Sequence, residues 1–376
     1  MSLRVALVCV LFWALLAGSG GWAQAPTDAL SGACTAPEVK RNARLDLYAR
    51  MLAGMPMEDV DPAVAAHARQ LDRSFARLEQ VQLSRIRDWS AKVLPPEVHA
   101  AEVLYYPFSG PDVLYPAALF PRARKLLFTG LEPVGAPPAA EDFESPELAD
   151  SLGELRRSLV TLLGQSFFVT AQMQAQFDQN RFRGVTPILM LLLARSGYAI
   201  ESVTGVVLAA DGKLCARALD ERVDHAGVEI RYRRMEDTRA RSLIYLRVDL
   251  SNQGLAAMPG YAAYARQFGV QASYVKSASY LMHTAEFSAI RDLLLEVSPA
   301  VLQDDSGIPF RQFESGSWQA TLHGQYAGAA KGFTGHTQAD LRAAFAAAPA
   351  SPLPFWIGYR HSPADSNLQL YRRVGQ

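Results

Sequence analysis

Residues 101–135, AEVLYYPFSGPDVLYPAALFPRARKLLFTGLEPVG, decide how the chain is read. Residues 103–108 form an apolar and aromatic run closed by Ser109-Gly110-Pro111-Asp112, as expected for a strand buried on both faces and ending in a turn. Asp112 is placed to cap a helix starting beyond it. Residues 113–120 are apolar on every side and Pro121 stops them, which predicts a helix of about two turns. Leu126, Leu127 and Phe128 give a second buried run, broken by Gly130 and by Pro133 after Glu132. Roughly eighteen residues separate the two runs, enough for the crossover of a parallel pair and far more than a tight hairpin uses. Parallel pairing places the Ser109–Asp112 turn and Glu132 at the carboxyl ends of neighbouring strands, the rim where open α/β sheets bind ligands.

The chain has 376 residues, 49% hydrophobic and 20% charged, an ordinary globular composition. Lys+Arg and Asp+Glu both total 37, so no global field attracts nucleic acid or an anionic membrane, and neither is expected as a partner. The six lysines leave the basic side mostly to arginine. At the amino terminus Arg4 precedes an unbroken apolar run over 5–17 and a small-residue stretch ending Gly21-Trp22-Ala23. That pattern predicts a secretory signal peptide over 1–23, cut after Ala23, and hence a periplasmic or secreted protein with no membrane attachment after cleavage. Cleavage removes Cys9 and leaves Cys34 and Cys215. In an oxidising compartment these either form one disulfide or stand as two free thiols, and the sequence leaves both open.

Beyond the leader, residues 37–92 read as helical. Val64, Ala68, Leu71, Phe75, Leu78, Ile86 and Trp89 recur near helical spacing, with charged residues opposite and Asp61-Pro62 as a start signal. Residues 134–146 look like an exposed loop. Leu148, Leu152, Leu155, Leu159 and Leu162 predict a helix that begins near Ser145-Pro146 and continues towards Phe177, and Thr186-Pro187 predicts a capped apolar helix through Ala194. Strand-like runs at 198–209 and 213–218 meet at Asp211-Gly212, a hairpin signal. Residues 228–232 and 243–250 suggest a second antiparallel pair. Arg231, Arg233, Arg234, Arg239 and Arg241 form the one basic cluster, read as a solvated strand face.

Alternation of strand and helix then returns. Strands are expected at 271–275 and 301–303, helices at 261–268 and 287–297, and two more crossover units result. Residues 318–326 give another strand, 338–348 a helix, and 355–359 an edge strand. The fold class is therefore α/β: a Rossmann-like mixed, mostly parallel sheet flanked by helices, with an antiparallel hairpin insertion. An N-terminal helical layer over 24–98 packs on the α/β domain of 99–376.

No complete catalytic motif is present. The first turn has one glycine where the dinucleotide fingerprint needs three, and Pro111 removes an N–H that a phosphate cradle uses. G-x-S-x-G is missing. Ser273-Tyr274-Val275-Lys276 matches S-x-x-K but falls in an expected strand rather than at a helix start. His283 with Glu286, and His99 with Glu102, have no metal-site spacing, and Asp304-Asp305 before Ser306-Gly307 is more ordinary as a turn. What distinguishes the rim is convergence. Ser109, Asp112, Glu132, Asp249, Asn252, Lys276, His283, Asp304 and Asp305 all come after expected strand ends, a mixed acidic, basic and hydroxyl set suited to a small polar ligand.

Three runs, Tyr106-Pro107-Phe108-Ser109-Gly110-Pro111-Asp112, Gly130-Leu131-Glu132-Pro133 and Leu302-Gln303-Asp304-Asp305-Ser306-Gly307, resemble those of a group of secreted bacterial proteins of unknown function. In layout, residues 103–133 are also similar to the first strand, helix and second strand of class I methyltransferases, with Glu132 in the ribose-binding position. That resemblance implies a related topology. The cofactor loop departs from it in lacking glycines, and an exported protein lacks the methyl donor, so a different task is implied. The expected function is binding of a small polar ligand in the rim crevice. The alternative is an extracytoplasmic hydrolase or metal-assisted enzyme using Ser109, Lys276, His283, Asp304 and Asp305. The sequence names no cofactor and no oligomeric state.

Overall fold

The computed structural model of the protein describes residues 34–38, 40–58, 61–165, 181–217, 219, 227–234, 236–237, 239–314, 316–349 and 351–375. The expected leader over 1–23 and the first part of the helical layer lie outside these residues, as does the stretch towards Phe177.

The strands are β1 (Val103–Tyr106), β2 (Lys125–Gly130), β3 (Tyr198–Leu208), β4 (Leu214–Arg217), β5 (Gly227–Arg234), β6 (Arg241–Arg247), β7 (Ala272–Val275), β8 (Ala300–Gln303), β9 (Trp318–Gly324) and β10 (Asn367–Arg373). They form one 10-stranded sheet in the order β4-β3-β5-β6-β2-β1-β7-β8-β10-β9. β1 and β2 run parallel, Val103 beside Lys125 and Tyr106 beside Phe128, as the crossover length requires. β6 joins β2 in parallel, β7 joins β1, and β8 joins β7. Five parallel strands thus lie in the order third, second, first, fourth, fifth, and the direction of winding reverses between β1 and β7. β3, β4 and β5 are antiparallel and extend the β6 side, with the hairpin turn at Asp211-Gly212. β10 is antiparallel between β8 and β9.

Alternation along the strands feeds two cores. Leu104, Tyr106, Phe128, Tyr245 and Tyr274 face one side, and Tyr105, Leu127, Ile244, Leu246 and Val275 face the other. The first side is covered by α1 (Ala43–Leu52), α2 (Pro62–Leu78), α3 (Ser84–Val93), α4 (Leu114–Leu119), α5 (Leu148–Gln165) and α6 (Val185–Arg195), whose apolar residues share its core. The second is covered by α7 (Pro259–Gln267) and α8 (Ser288–Val297). Val64, Leu71, Phe75, Leu78, Ile86 and Trp89 are buried as their spacing predicts. Asp61 caps α2 through Ala63 N, with Pro62 in the first turn.

Four local expectations differ from the structure. A π-helical turn, Glu79–Leu83, joins α2 to α3 and turns Gln82 into the interior. Residues 134–146 are not an exposed loop, since Val134 is buried and a short helix, Ala140–Phe143, interrupts them. Thr186 does not cap α6. Gly184 holds the cap position, and the Thr186 hydroxyl donates instead to Val134 O at 2.8 Å, pinning the 134–146 segment to the helix. Residues 355–359 are not an edge strand, because the Gln82 amide satisfies the Trp356 backbone in place of a ladder, donating to its O at 2.9 Å and accepting from its N at 3.2 Å.

Cys34 and Cys215 are joined in a disulfide 181 residues apart. It ties the start of the described chain to β4, where Ala216 N also donates to Thr35 O at 2.7 Å. Among the described residues no helix is long and apolar enough to cross a membrane. Closing so long a loop restricts the unfolded chain, and the Cys34→Ala/Cys215→Ala double variant is expected to lose about 2–5 kcal/mol in denaturant titration. An unchanged midpoint would contradict a stabilising bridge.

Candidate functional site

All five parallel strands send their carboxyl ends to one edge, so the loops after β1, β2, β6, β7 and β8 meet there. Where winding reverses, Lys276 at the end of β7 reaches Asp112 from the β1 loop, Nζ to Oδ2 2.5 Å, and each side chain is 2% exposed. The Tyr106 hydroxyl donates to the same Oδ2 at 3.0 Å, and the Lys276 ammonium stands 3.8 Å from the centre of the Tyr115 ring. Gln82 donates to the Tyr115 hydroxyl at 3.4 Å. A buried polar chain therefore runs from the 355–359 segment through Gln82 and Tyr115 to Lys276 and Asp112. Burial pulls the Lys276 ammonium below its ordinary value, and Asp112 pushes it back up. Asp112 Oδ1 also accepts from Tyr115 N in the first turn of α4 at 3.4 Å, but the cap position itself is held by Val113 and not, as expected, by Asp112.

Ser109 and Glu132 are built into the same edge. The Ser109 hydroxyl accepts from Thr129 N at 3.0 Å and donates to Thr129 O at 3.2 Å, closing the end of the β1–β2 ladder. The Tyr245 hydroxyl lies 3.1 Å from both Glu132 O and Glu132 Oε2. A Cβ at Gly130 would overlap Glu132 Oε2, so glycine is what lets the carboxylate fold under the strand end. Asp249 and Asn252 are exposed. Asp249 Oδ1 accepts from Ser251 N at 2.9 Å, and Asn252 Oδ1 accepts from Ala289 N at 2.9 Å in the first turn of α8.

The loops after β7 and β8 hold each other. Asp304 accepts from Ser277 N at 3.0 Å and Ser306 N at 2.9 Å. Burial first, and the neighbouring Asp305 second, raise its pKa to about 6. Asp305 accepts from Tyr280 OH at 2.5 Å, Arg360 at 3.1 Å and Asn367 at 2.8 Å. His283 stands 5.2 Å, ring to ring, from Tyr280 and 5.6 Å from His336. It hydrogen-bonds the Gly307 backbone, and burial pulls its pKa down to about 4.

The β7 loop is marked by its backbone and by uncommitted polar atoms. Ser277, Ser279 and Tyr280 all have left-handed backbone, φ 54, 52 and 57, although none is glycine. Among the described residues the only other such non-glycine residue is Phe108, φ 57, in the β1 loop across the same junction. Each such residue costs about 1–3 kcal/mol and persists only where its surroundings impose it. In addition, Tyr274 OH, Ser277 Oγ and His283 Nε2 are buried with no protein hydrogen-bond partner.

The serine–lysine pair does not form. Ser273 shares the Val275 side of β7 and bonds the Ser298 hydroxyl at 2.7 Å, while Lys276 points with Tyr274 to the opposite face. Among the described residues no three His, Cys, Asp or Glu side chains gather where one ion would touch them all. The structure adds Tyr106, Tyr115, Gln82, Tyr280 and Arg360 to the expected set. Tyr106 lies in the quoted stretch and carried a signal as a strand aromatic. Gln82, Tyr280 and Arg360 had none, since their partners come from distant parts of the chain.

Removing one member of a buried pair strands the other, so Lys276→Met is expected to lose about 3–5 kcal/mol, and Asp112→Asn combined with it to lose less. Additive losses in denaturant titration would contradict direct pairing. Acid is expected to weaken the fold. His67, His283 and His323 are each lowered to about 4 by burial, so the unfolded chain takes up their protons from pH 6.5 down while the folded chain does so only near 4. Asp304, raised from 3.8 to about 6, acts in the opposite sense over its own window. The lowered histidines, His99 and His336 among them, outnumber the raised carboxylates Asp304 and Glu229, which predicts a net loss between pH 6.5 and 4, of order 2 kcal/mol for each of the three deeply buried histidines before that offset, read from denaturation midpoints. A stability that holds level or rises on acidification contradicts it. No protein family, curated protein or solved structure matches this chain.

Proposed function

We propose that this is an exported protein that binds a small polar ligand at the carboxyl edge of its sheet, between the loops leaving β1 and β7. The observation that carries the reading is that, among the described residues, left-handed non-glycine residues are confined to those two loops: Phe108 on one side and Ser277, Ser279 and Tyr280 on the other. Strain kept at one junction of a doubly wound sheet fits a site, because that junction is where such sheets take ligands. The Ser277 hydroxyl and His283 Nε2, buried and unpartnered in this closed form, would supply a donor-acceptor and an acceptor for a hydroxyl-, amide- or ammonium-bearing compound once the residues covering them move aside. Export is supported by the leader-like residues 1–23 and by the Cys34–Cys215 bridge.

The likeness in layout to class I methyltransferases is supported by the parallel β1–β2 pair and by Glu132 after β2. Its burial under Tyr245 supports a task other than holding a ribose. The enzymatic reading, a hydrolase or metal-assisted enzyme, is second. It is favoured by the bare Nε2 of His283, whereas the Ser109 hydroxyl is taken up by Thr129.

Ser277→Gly separates binding from folding. Glycine accepts φ 54 without a Cβ clash, and the Ser277 hydroxyl has no partner to lose. The variant is expected to keep or gain stability, by up to about 1 kcal/mol. Screened sugars, amino acids, peptides and nucleotides are expected to yield compounds that raise the wild-type melting temperature, by the equivalent of about 2.7 kcal/mol at one hundred times Kd. The same compounds are expected to shift Ser277→Gly much less. Hits that shift both proteins equally place the ligand elsewhere.

A further inference from the structure

We infer that residues 324–338 form a strap that opens as a unit over the β7 loop, with Asp305 as its latch. The segment GQYAGAAKGFTGHTQ carries Gly324, Gly328, Gly332 and Gly335, and ends at the helix α9 (Ala339–Ala347). Its own apolar contacts are set apart from both main cores, in a small cluster of Tyr280, Ala330 and Phe333 with Tyr359 packed against it. Phe333 lies between Tyr280 and Tyr359, ring centres 5.0 and 5.2 Å away, and His336 stacks on Tyr280 at 5.3 Å.

The ends of the segment are tied by Gln325 N donating to Ser366 O at 2.8 Å and by Arg342 donating to Ala327 O at 2.9 Å, while the anchors of its middle part gather at Asp305. Ala330 N donates to the Tyr280 hydroxyl at 2.7 Å, and that hydroxyl donates to Asp305 Oδ2 at 2.5 Å. Arg360 donates to Gly328 O at 2.6 Å and to Asp305 Oδ2 at 3.1 Å. Gln338 donates to Asp305 O at 3.4 Å and accepts from Phe310 N at 2.7 Å. Asp305 thus sets two groups, Tyr280 and Arg360, that hold the middle of the strap backbone at Ala330 and Gly328. A segment with a separate small core, three glycines beyond the end of β9 and its middle held through one carboxylate has a lower opening free energy than the strands beneath it. Lifting it uncovers Tyr280 and His283. Its service as a gate rests on the ligand reading above, but its opening does not.

Hydrogen exchange by mass spectrometry on the full protein tests this. Peptides covering 325–338 are expected to exchange at least tenfold faster than peptides covering β1 and β2. Asp305→Asn is expected to speed the strap a further tenfold or more, with β1 and β2 unchanged. Phe333→Ala, which removes strap packing and leaves the Asp305 bonds in place, is expected to act in the same direction and guards against a global effect of Asp305→Asn. Strap and β1–β2 peptides exchanging together in wild type, or strap exchange unmoved by both substitutions, overturns the inference. Loss of ligand response with normal strap opening counts against the ligand site alone.

Discussion

The ion pair between Lys276 and Asp112 fixes the geometry on which the carboxyl edge depends. Its partners lie 164 residues apart and both are buried, so each is tolerated only because the other is present. The pair crosses the β1–β7 junction at the point where a doubly wound sheet opens a crevice. It draws in Tyr106 and Tyr115, and through Gln82 it reaches the N-terminal helices and the 355–359 segment. The helical layer is therefore bonded to the edge as well as packed on it. The π-helical turn at Glu79–Leu83 places Gln82 for that contact.

Around this fixed pair the β7 loop is held in a conformation its residues disfavour. Asp304 binds the Ser277 N–H, Ser306 binds that of Ala278, and the Tyr359 hydroxyl reaches Ser277 O at 2.7 Å. A Cβ at Gly358 would overlap Asp304, so the crossing segment approaches the carboxylate only through glycine. Each bond offsets some of the strain in the three left-handed residues. Such over-determination is what keeps a loop in one shape while polar atoms within it stay uncommitted.

Much of the architecture was legible in residues 101–135, because an apolar run, a turn, a short helix and a second apolar run admit few arrangements other than a parallel pair. The strand ends were legible too, and they pick out Asp112, Glu132, Lys276, Asp304 and Asp305, all buried at one edge. Which of them touch was not. Lys276 meets Asp112 only because β7 inserts beside β1, a tertiary choice that local pattern does not encode. Asp249 and Asn252 came after strand ends as expected, yet Asp249 holds a turn and Asn252 the start of α8. The left-handed turns had no sequence signal because Ser277-Ala278-Ser279-Tyr280 contains no glycine to announce them. Residues 355–359 read as a strand by composition, and a side chain from the helical layer took the place of a neighbouring strand.

The most direct test of the ligand site is where a bound compound sits. Crystals of the protein soaked with small hydroxyl-, amide- and ammonium-bearing fragments would place density between the loops at 107–113 and 276–284, in contact with Ser277 and His283, if the account is right. Fragments that bind reproducibly on the amino-terminal edge of the sheet or among the outer helices, with the β1–β7 junction untouched, would contradict it.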